Sequence, residues 1–161
     1  MSKIFVDSIE PKTSGGAVQM PNRPSFFVYN STNDWFQNIG NGTIIQFNTA
    51  KFNVGNHFNL STYKFTAPYT GLYQFGIRVY VNYASGNNSW AVFINGTVYH
   101  HSNTGYSLFG DLAQGVSNSD FGTTGSHCLQ LNANDTVDVR SMHANTDYFG
   151  TMTSFSGFFV G

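Results

Sequence analysis

The stretch GLYQFGIRVYVN, residues 71–82, constrains this chain more than any other. Tyr73, Phe75, Ile77, Val79 and Val81 recur at every second position, with Gln74 and Arg78 between them. Residues two apart share one face of a strand, so the run reads as a β-strand with a ring-lined inner side. Pro68 and Gly71 stand just before the ring pair Tyr73 and Phe75. That face is a core, a subunit contact or a ligand platform.

From Pro24 onward the same signal repeats. PSFFVYN, GTIIQFN and TYKFTAP read as strands, the last ending at Pro68, which cannot donate to a ladder. SWAVFINGTVYHH carries Asn95-Gly96 between β-rich flanks, a hairpin cue because both residues tolerate positive φ. HCLQLNANDTVDVRSMH gives two more strands around the turn NAND, and SFSGFFVG gives a last one. GDLAQGVSNSDFGTTG reads as a long loop, and no helical period appears. The class is all-β, a sandwich or barrel of about eight to ten strands.

Such a chain needs apolar area to bury, and it has it: 17% of residues are aromatic, with 16 Phe and 9 Tyr. Only 9% are charged against roughly 25% in ordinary soluble domains. A net charge of -1 offers no electrostatic footprint for nucleic acid or an anionic membrane. The one cysteine, Cys128, forbids an intrachain disulfide, so stability comes from packing or assembly. The 161 residues suffice for one domain with a real core. No apolar run is long enough for a signal peptide or a membrane span, so the expected product starts in the cytoplasm and leaves by lysis.

Residues 1–23 differ. They hold Lys3, Asp7, Glu10, Lys12 and Arg23, together with Pro11, Pro21 and Gly15-Gly16. Ile4 and Val6 share a strand face, and Ile9 closes the run. This segment reads as an attachment arm, followed by a folded knob over residues 24–161.

The spacing around the ring-lined strand is specific. Phe47, Asn53, Phe58, Phe65, Gly71, Tyr73 and Phe75 resemble the signature of the globular head of complement component one, subcomponent q. That family shares its jelly-roll with the tumour necrosis factor ligands. Ile77 departs from the pattern, which usually has an aromatic there. The pieces CLQLNANDTVDV and SFSGFFVG are similar to the closing strands of the family. The resemblance implies a jelly-roll sandwich of about ten antiparallel strands, a tight homotrimer and recognition without catalysis. It implies that Tyr73, Phe75, Phe155 and Phe158 pack the core and the subunit contacts. The arm KIFVDSIEPKTSGGAVQMP resembles N-terminal segments of structural proteins from tailed bacteriophages, fibre proteins especially.

Candidate chemistry is sparse. His100 and His101 are adjacent, so on a strand they point to opposite faces, and His57, His127 and His143 have no ligand-like spacing. Cys128 follows His127, and a strand separates such neighbours too. Family members can hold calcium at the top of the trimer through loop carboxylates, and Asp111, Asp120 and Asp147 are the candidates here. They lie far apart in sequence, so no cofactor is expected, calcium being the one to test. No G-x-S-x-G, phosphate loop or paired-carboxylate motif is present, and no enzyme is expected. Six N-x-S/T sequons, at Asn30, Asn41, Asn59, Asn87, Asn95 and Asn134, should stay bare without a signal peptide. Trp35, Phe36, Tyr106 and Phe109 stand in loop-like contexts beside Asn and Asp, the make-up of a carbohydrate or protein contact.

The expectation is a trimeric virion protein of a tailed phage, as a tail-fibre knob or head decoration. It docks to other virion proteins by its arm and touches a host glycan or receptor. The competing expectation is a soluble complement-like lectin acting outside a virus.

Overall fold

The computed structural model describes residues 23–32, 36–81, 88–99, 108–112, 121–142 and 146–161. Two antiparallel sheets face each other. The front sheet has the order β10-β6-β13-β1-β3, built from Phe121–Leu131, Gly71–Val81, Ser154–Phe159, Ser25–Tyr29 and Thr49–Val54. The back sheet runs β4-β5-β11-β7-β8, from Phe58–Asn59, Lys64–Thr66, Thr136–Ser141, Asn88–Ile94 and Thr97–Val98. A further strand, β9 (Leu108–Leu112), pairs with β7, and β2 (Phe36–Ile39) pairs with β12 (Thr146–Phe149). Among the described residues the only helical piece is a single 3-10 turn, Gly150–Met152.

The long strand of the sequence reading is β6. It is held on both sides, by β10 from Phe121 opposite Val81 to Leu131 opposite Gly71, and by β13 from Ser154 opposite Arg78 to Phe159 opposite Tyr73. Its alternation sends Tyr73, Phe75, Ile77 and Val79 inward, each buried. There they meet Phe26, Phe47, Phe58, Phe65 and Phe155, all at most 2% exposed. Phe26 and Phe65 stack at 5.2 Å, Phe75 and Phe155 at 5.7 Å, and Phe65 meets Tyr73 and Phe75 edge-on at 5.5 Å. Offset and edge geometries of this kind add to plain area burial.

The spacing of the aromatic signature has a local cause at each step. The side chain of Asn53 donates to Phe58 O at 2.8 Å and accepts from Phe58 N at 3.1 Å. It thereby closes the turn at Gly55 and Asn56, both at positive φ, and fixes the four residues between Asn53 and Phe58. A Cβ on Gly71 would stand 2.6 Å from the carbonyl oxygen of Gly161, so the C-terminus can lie against β6 only if a glycine is there. Gly161 then accepts from Leu72 N at 2.7 Å, and Val160 N donates back to Leu72 O.

Three sequence expectations shift. GTIIQFN is not a strand. Ile44 makes one bridge to Arg140, and Phe47 N turns back onto Ile45 O, which breaks the ladder while both Ile45 and Phe47 stay buried. TYKFTAP pairs only over Lys64–Thr66, because Tyr63 sits at φ 61. The long loop read over GDLAQGVSNSDFGTTG is entered by β9 and left by β10, which starts at Phe121. Its Gly and Ser residues carry little strand preference, and cross-strand pairing with β6 and β7 supplies the conformation instead.

Candidate functional site

The front sheet packs one face on the core. Its other face is largely open, apart from Tyr80, against which Phe149 of β12 packs edge-on at 6.2 Å, and it is the candidate site. Alternation decides what stands there. On β1, Phe26 and Val28 are buried while Ser25, Phe27 and Tyr29 are partly exposed. On β13, Phe155 and Gly157 face inward, and Ser154, Ser156 and Phe158 face outward. On β6 the outward row is Leu72, Gln74, Gly76, Arg78 and Tyr80, and on β10 it includes Thr124, Ser126, Cys128 and Gln130.

The resulting face has three regions. At one side of the middle row Phe52 is 51% exposed, its ring 6.4 Å from that of Phe27, and one row nearer the end of β13 Phe158 is 52% exposed. In the middle, Gly76 lies between Ser126 and Ser156, so no side chain there projects far. Towards the other end stand Arg78, which is exposed, and Tyr29, with the Lys51 ammonium 5.3 Å from the Tyr29 ring centre. The five strands of the sheet contain Lys51 and Arg78 but no Asp or Glu. The face is therefore aromatic, flat and weakly cationic. It can bury a broad complementary surface, and it offers no nucleophile with a base beside it.

The sequence-predicted residues fall on both sides of this sheet. Tyr73, Phe75 and Phe155 are buried within one subunit, and Phe158 projects from the open face. The Tyr73 hydroxyl donates to Tyr69 O at 2.8 Å and accepts from Tyr69 N at 3.3 Å. Burial raises its pKa above the ordinary 10.0, against the lowering pull of that backbone hydrogen bond. Phe36 and Phe109 lie in strands β2 and β9 and not in loops, because each finds a cross-strand partner, Phe149 for Phe36 and β7 for the strand of Phe109. Trp35 and Tyr106, and the arm residues Ile4, Val6 and Ile9, lie outside the described residues. Phe27 and Phe52 were not singled out by sequence reasoning. The alternation in SFFVY already separates Phe27 from its buried neighbours Phe26 and Val28.

Two of the described carboxylates are engaged within the subunit. Asp138 is fully buried and held by Arg140, Nη2 to Oδ2 at 3.0 Å and Nε to Oδ1 at 2.6 Å, with the Lys64 ammonium at 3.6 Å. Asp135 accepts from Asn95 Nδ2 and Asn132 N. Asp111 is on β9 and Asp147 on β12, in different sheets, and Asp120 lies outside the described residues. Among the described residues no three of His, Cys, Asp and Glu come together. His127 and Cys128 are neighbours on β10 and fall in opposite side-chain rows.

Comparison with known proteins places this geometry. The family model described as the C1q domain matches residues 25–160. The globular domain of zebrafish complement 1qA protein superposes with a TM-score of 0.64 at 16% identity, over 86% of this chain and 98% of that one. Eiger TNF from S. frugiperda gives 0.64 at 12% identity, over 86% and 94%. Murine APRIL gives 0.55 at 10% identity, over 84% and 97%. No curated protein sequence matches the chain.

Proposed function

This chain belongs to the C1q domain family, and we propose that it works as a homotrimeric, non-enzymatic recognition knob on the virion of a tailed bacteriophage. The observation that carries the reading is the open face of the front sheet. Phe52 and Phe158 are each about half exposed, beside Phe27, on a sheet whose centre is glycine and serine. Half-exposed rings gathered on one face of a lone subunit are a liability. Closing three copies about an axis buries them, and the small residues let a neighbour approach closely.

The arm supplies the second half of the reading. Its sequence is similar to phage fibre segments, and the knob has a defined base to carry it. Pro24 O accepts from Phe159 N at 2.9 Å, and the Arg23 guanidinium lies 5.7 Å from the centre of the Phe159 ring. The chain thus enters the knob where β13 ends. Val81 and Phe121 are paired at the far end of the same sheet. Residues 1–23 dock the base to another virion protein, in a tail fibre or on the head, and the far end meets a host glycan or receptor. The knob inserts into no membrane, binds no nucleic acid and needs no cofactor.

Light scattering after size exclusion tests the assembly: the expected mass is three times 17.8 kDa, unchanged by chelator. A monomer would sink the trimer. Mass spectrometry of purified particles tests the location. Absence of the chain from particles, with saturable glycan binding by the free knob, would move the reading to a soluble lectin.

A further inference from the structure

On the reading that the front sheets meet in the ring and the knob touches a host glycan, the outer face of the back sheet stays accessible in every copy. We propose that this face carries an oxyanion site, formed by Lys64 and Arg140, that takes the carboxylate of an acidic sugar on the host surface. Neighbouring strands bring the site together. Asn59 of β4 pairs with Lys64 of β5, β11 lies beside β5, and Asp138 of β11 pairs with Phe93 of β7. The alternate residues Phe58, Phe65, Val137 and Val139 are in the core, so Asn59, Lys64, Asp138 and Arg140 share the outer face. β11 starts at Thr136, next to Asp135, whose carbonyl accepts from Ala67 N. From there it runs away from the base, where the Tyr69 and Phe159 rings meet, so Arg140 lies on the half of the knob that leads to the far end.

Charge singles this cluster out. Asp138 is fully buried although it stands on an outer face. Both its oxygens are taken up by one edge of the Arg140 guanidinium, Nε to Oδ1 at 2.6 Å and Nη2 to Oδ2 at 3.0 Å. The Phe93 ring centre lies 4.4 Å from the same group, so the planar fork is held at its edge and on its face. Nη1 has no hydrogen-bond partner among the described residues, and the Arg140 side chain keeps 18% of its surface exposed. The Lys64 ammonium stands 3.6 Å from Asp138 Oδ2, beyond hydrogen-bond length, and its side chain is 31% exposed. Asn59 adds an amide: its Oδ1 accepts from Ser61 N and Thr62 N, which leaves Nδ2 to donate. For stability alone, a buried ion pair gains little over apolar residues of similar volume, whereas here it fixes a guanidinium in one geometry. Asp138 is thus a positioning residue, and the donors it leaves on Arg140 and Lys64 have no acid of their own. An oxyanion fills them with charge-assisted hydrogen bonds, and the hydroxyls of a sugar acid supply acceptors for the amide beside them.

The test uses the full chain and ligand-observed NMR. Glucuronate is the probe, with glucose as the same ring without the charge and inorganic phosphate as an oxyanion without the ring. Glucuronate should bind saturably and glucose should not. Lys64→Gln, at a partly exposed position, should keep the fold by circular dichroism and weaken glucuronate about tenfold, the loss of one charge-assisted hydrogen bond. Arg140→Lys keeps a cation for Asp138 but loses the fork, and should weaken binding about as much. No saturable binding of glucuronate by the wild type, or binding unmoved in both variants, would overturn the site. Phosphate bound as tightly as glucuronate would overturn the sugar as its source. A trimer present on particles that ignores glucuronate would remove this site and leave the proposed function standing. Glucuronate binding by a chain absent from particles would support the site and remove the virion reading.

Discussion

Single positions in this chain are set by how closely rings approach the backbone. A Cβ on Gly157 would stand 2.7 Å from the rings of both Phe26 and Phe75, which are themselves buried. Neither ring can swing away, so Gly157→Ala should cost about 1–3 kcal/mol, read as a fall in Tm. Tyr73 carries a pH signature. Its pKa is raised by burial, so the folded state favours the neutral hydroxyl. That contribution is fully present below the ordinary value of 10.0 and is lost as pH rises through the raised one. Tyr73→Phe should cost about 1 kcal/mol at neutral pH, through the lost bond to Tyr69 O, and should flatten the alkaline limb of the stability curve. Denaturant melts at several pH values would measure both. At this scale the sequence was informative about the rings and silent about Gly157. The period-two pattern marked Tyr73 and Phe75 as inward, whereas the need for Gly157 lies in two rings from other strands, at positions 26 and 75, which no local pattern joins.

Strands show the same division between local and distant causes. The hairpin at Asn95 and Gly96 was legible because both residues do adopt positive φ, 52° and 80°. What the dipeptide does not reveal is that the Asn95 side chain also accepts from Thr136 N and donates to Asp135, locking the hairpin to the neighbouring turn. β9 was illegible for a related reason: LFGDL has no alternation strong enough to mark a strand, and its pairing with β7 comes from the other end of the sequence separation. β11 reads TVDVRS, with valines inward, and the alternation alone makes Asp138 and Arg140 look like surface charges. In fact Asp138 is fully buried on the outward side of the back sheet, beneath Arg140, Lys64 and Phe93, whose ring centre lies 4.4 Å from the Arg140 guanidinium. Asp138→Ala strands two cations and should cost about 2 kcal/mol, since hydrogen bonds to charged groups exceed neutral ones. Lys64→Ala, at a partly exposed position, should cost less than about 1 kcal/mol. Equal losses in thermal melts would show that Lys64, and not Arg140, holds the carboxylate.

Taken whole, the molecule has one face of the front sheet in the core and one largely open, and substitutions can separate what the two do. The signature from Phe47 to Phe75 made the jelly-roll readable because its residues are core residues whose spacing follows from turns and close approaches. The open face was harder to read because Phe27, Phe52 and Phe158 come from three strands, β1, β3 and β13, that only the fold makes neighbours. This difference gives the last prediction. Phe52 and Phe158 are each about half exposed in the subunit, so Phe52→Ser and Phe158→Ser should leave the fold's secondary structure intact. Each should weaken assembly by about 1.5–3 kcal/mol, the worth of burying a phenyl ring. Phe75→Ala, on the other side of the same sheet, should lower subunit stability by about 3–5 kcal/mol. Cys128 supplies an internal reporter, because it is exposed on the outward row of β10 beside Gln74. Its reaction with a maleimide should be slow in the assembled wild type and fast in the Phe52 and Phe158 variants at matched concentration. Equal rates in all of these proteins, with the mass still that of three subunits, would mean that the copies meet elsewhere and that the aromatic face is turned outward, towards a partner of another kind.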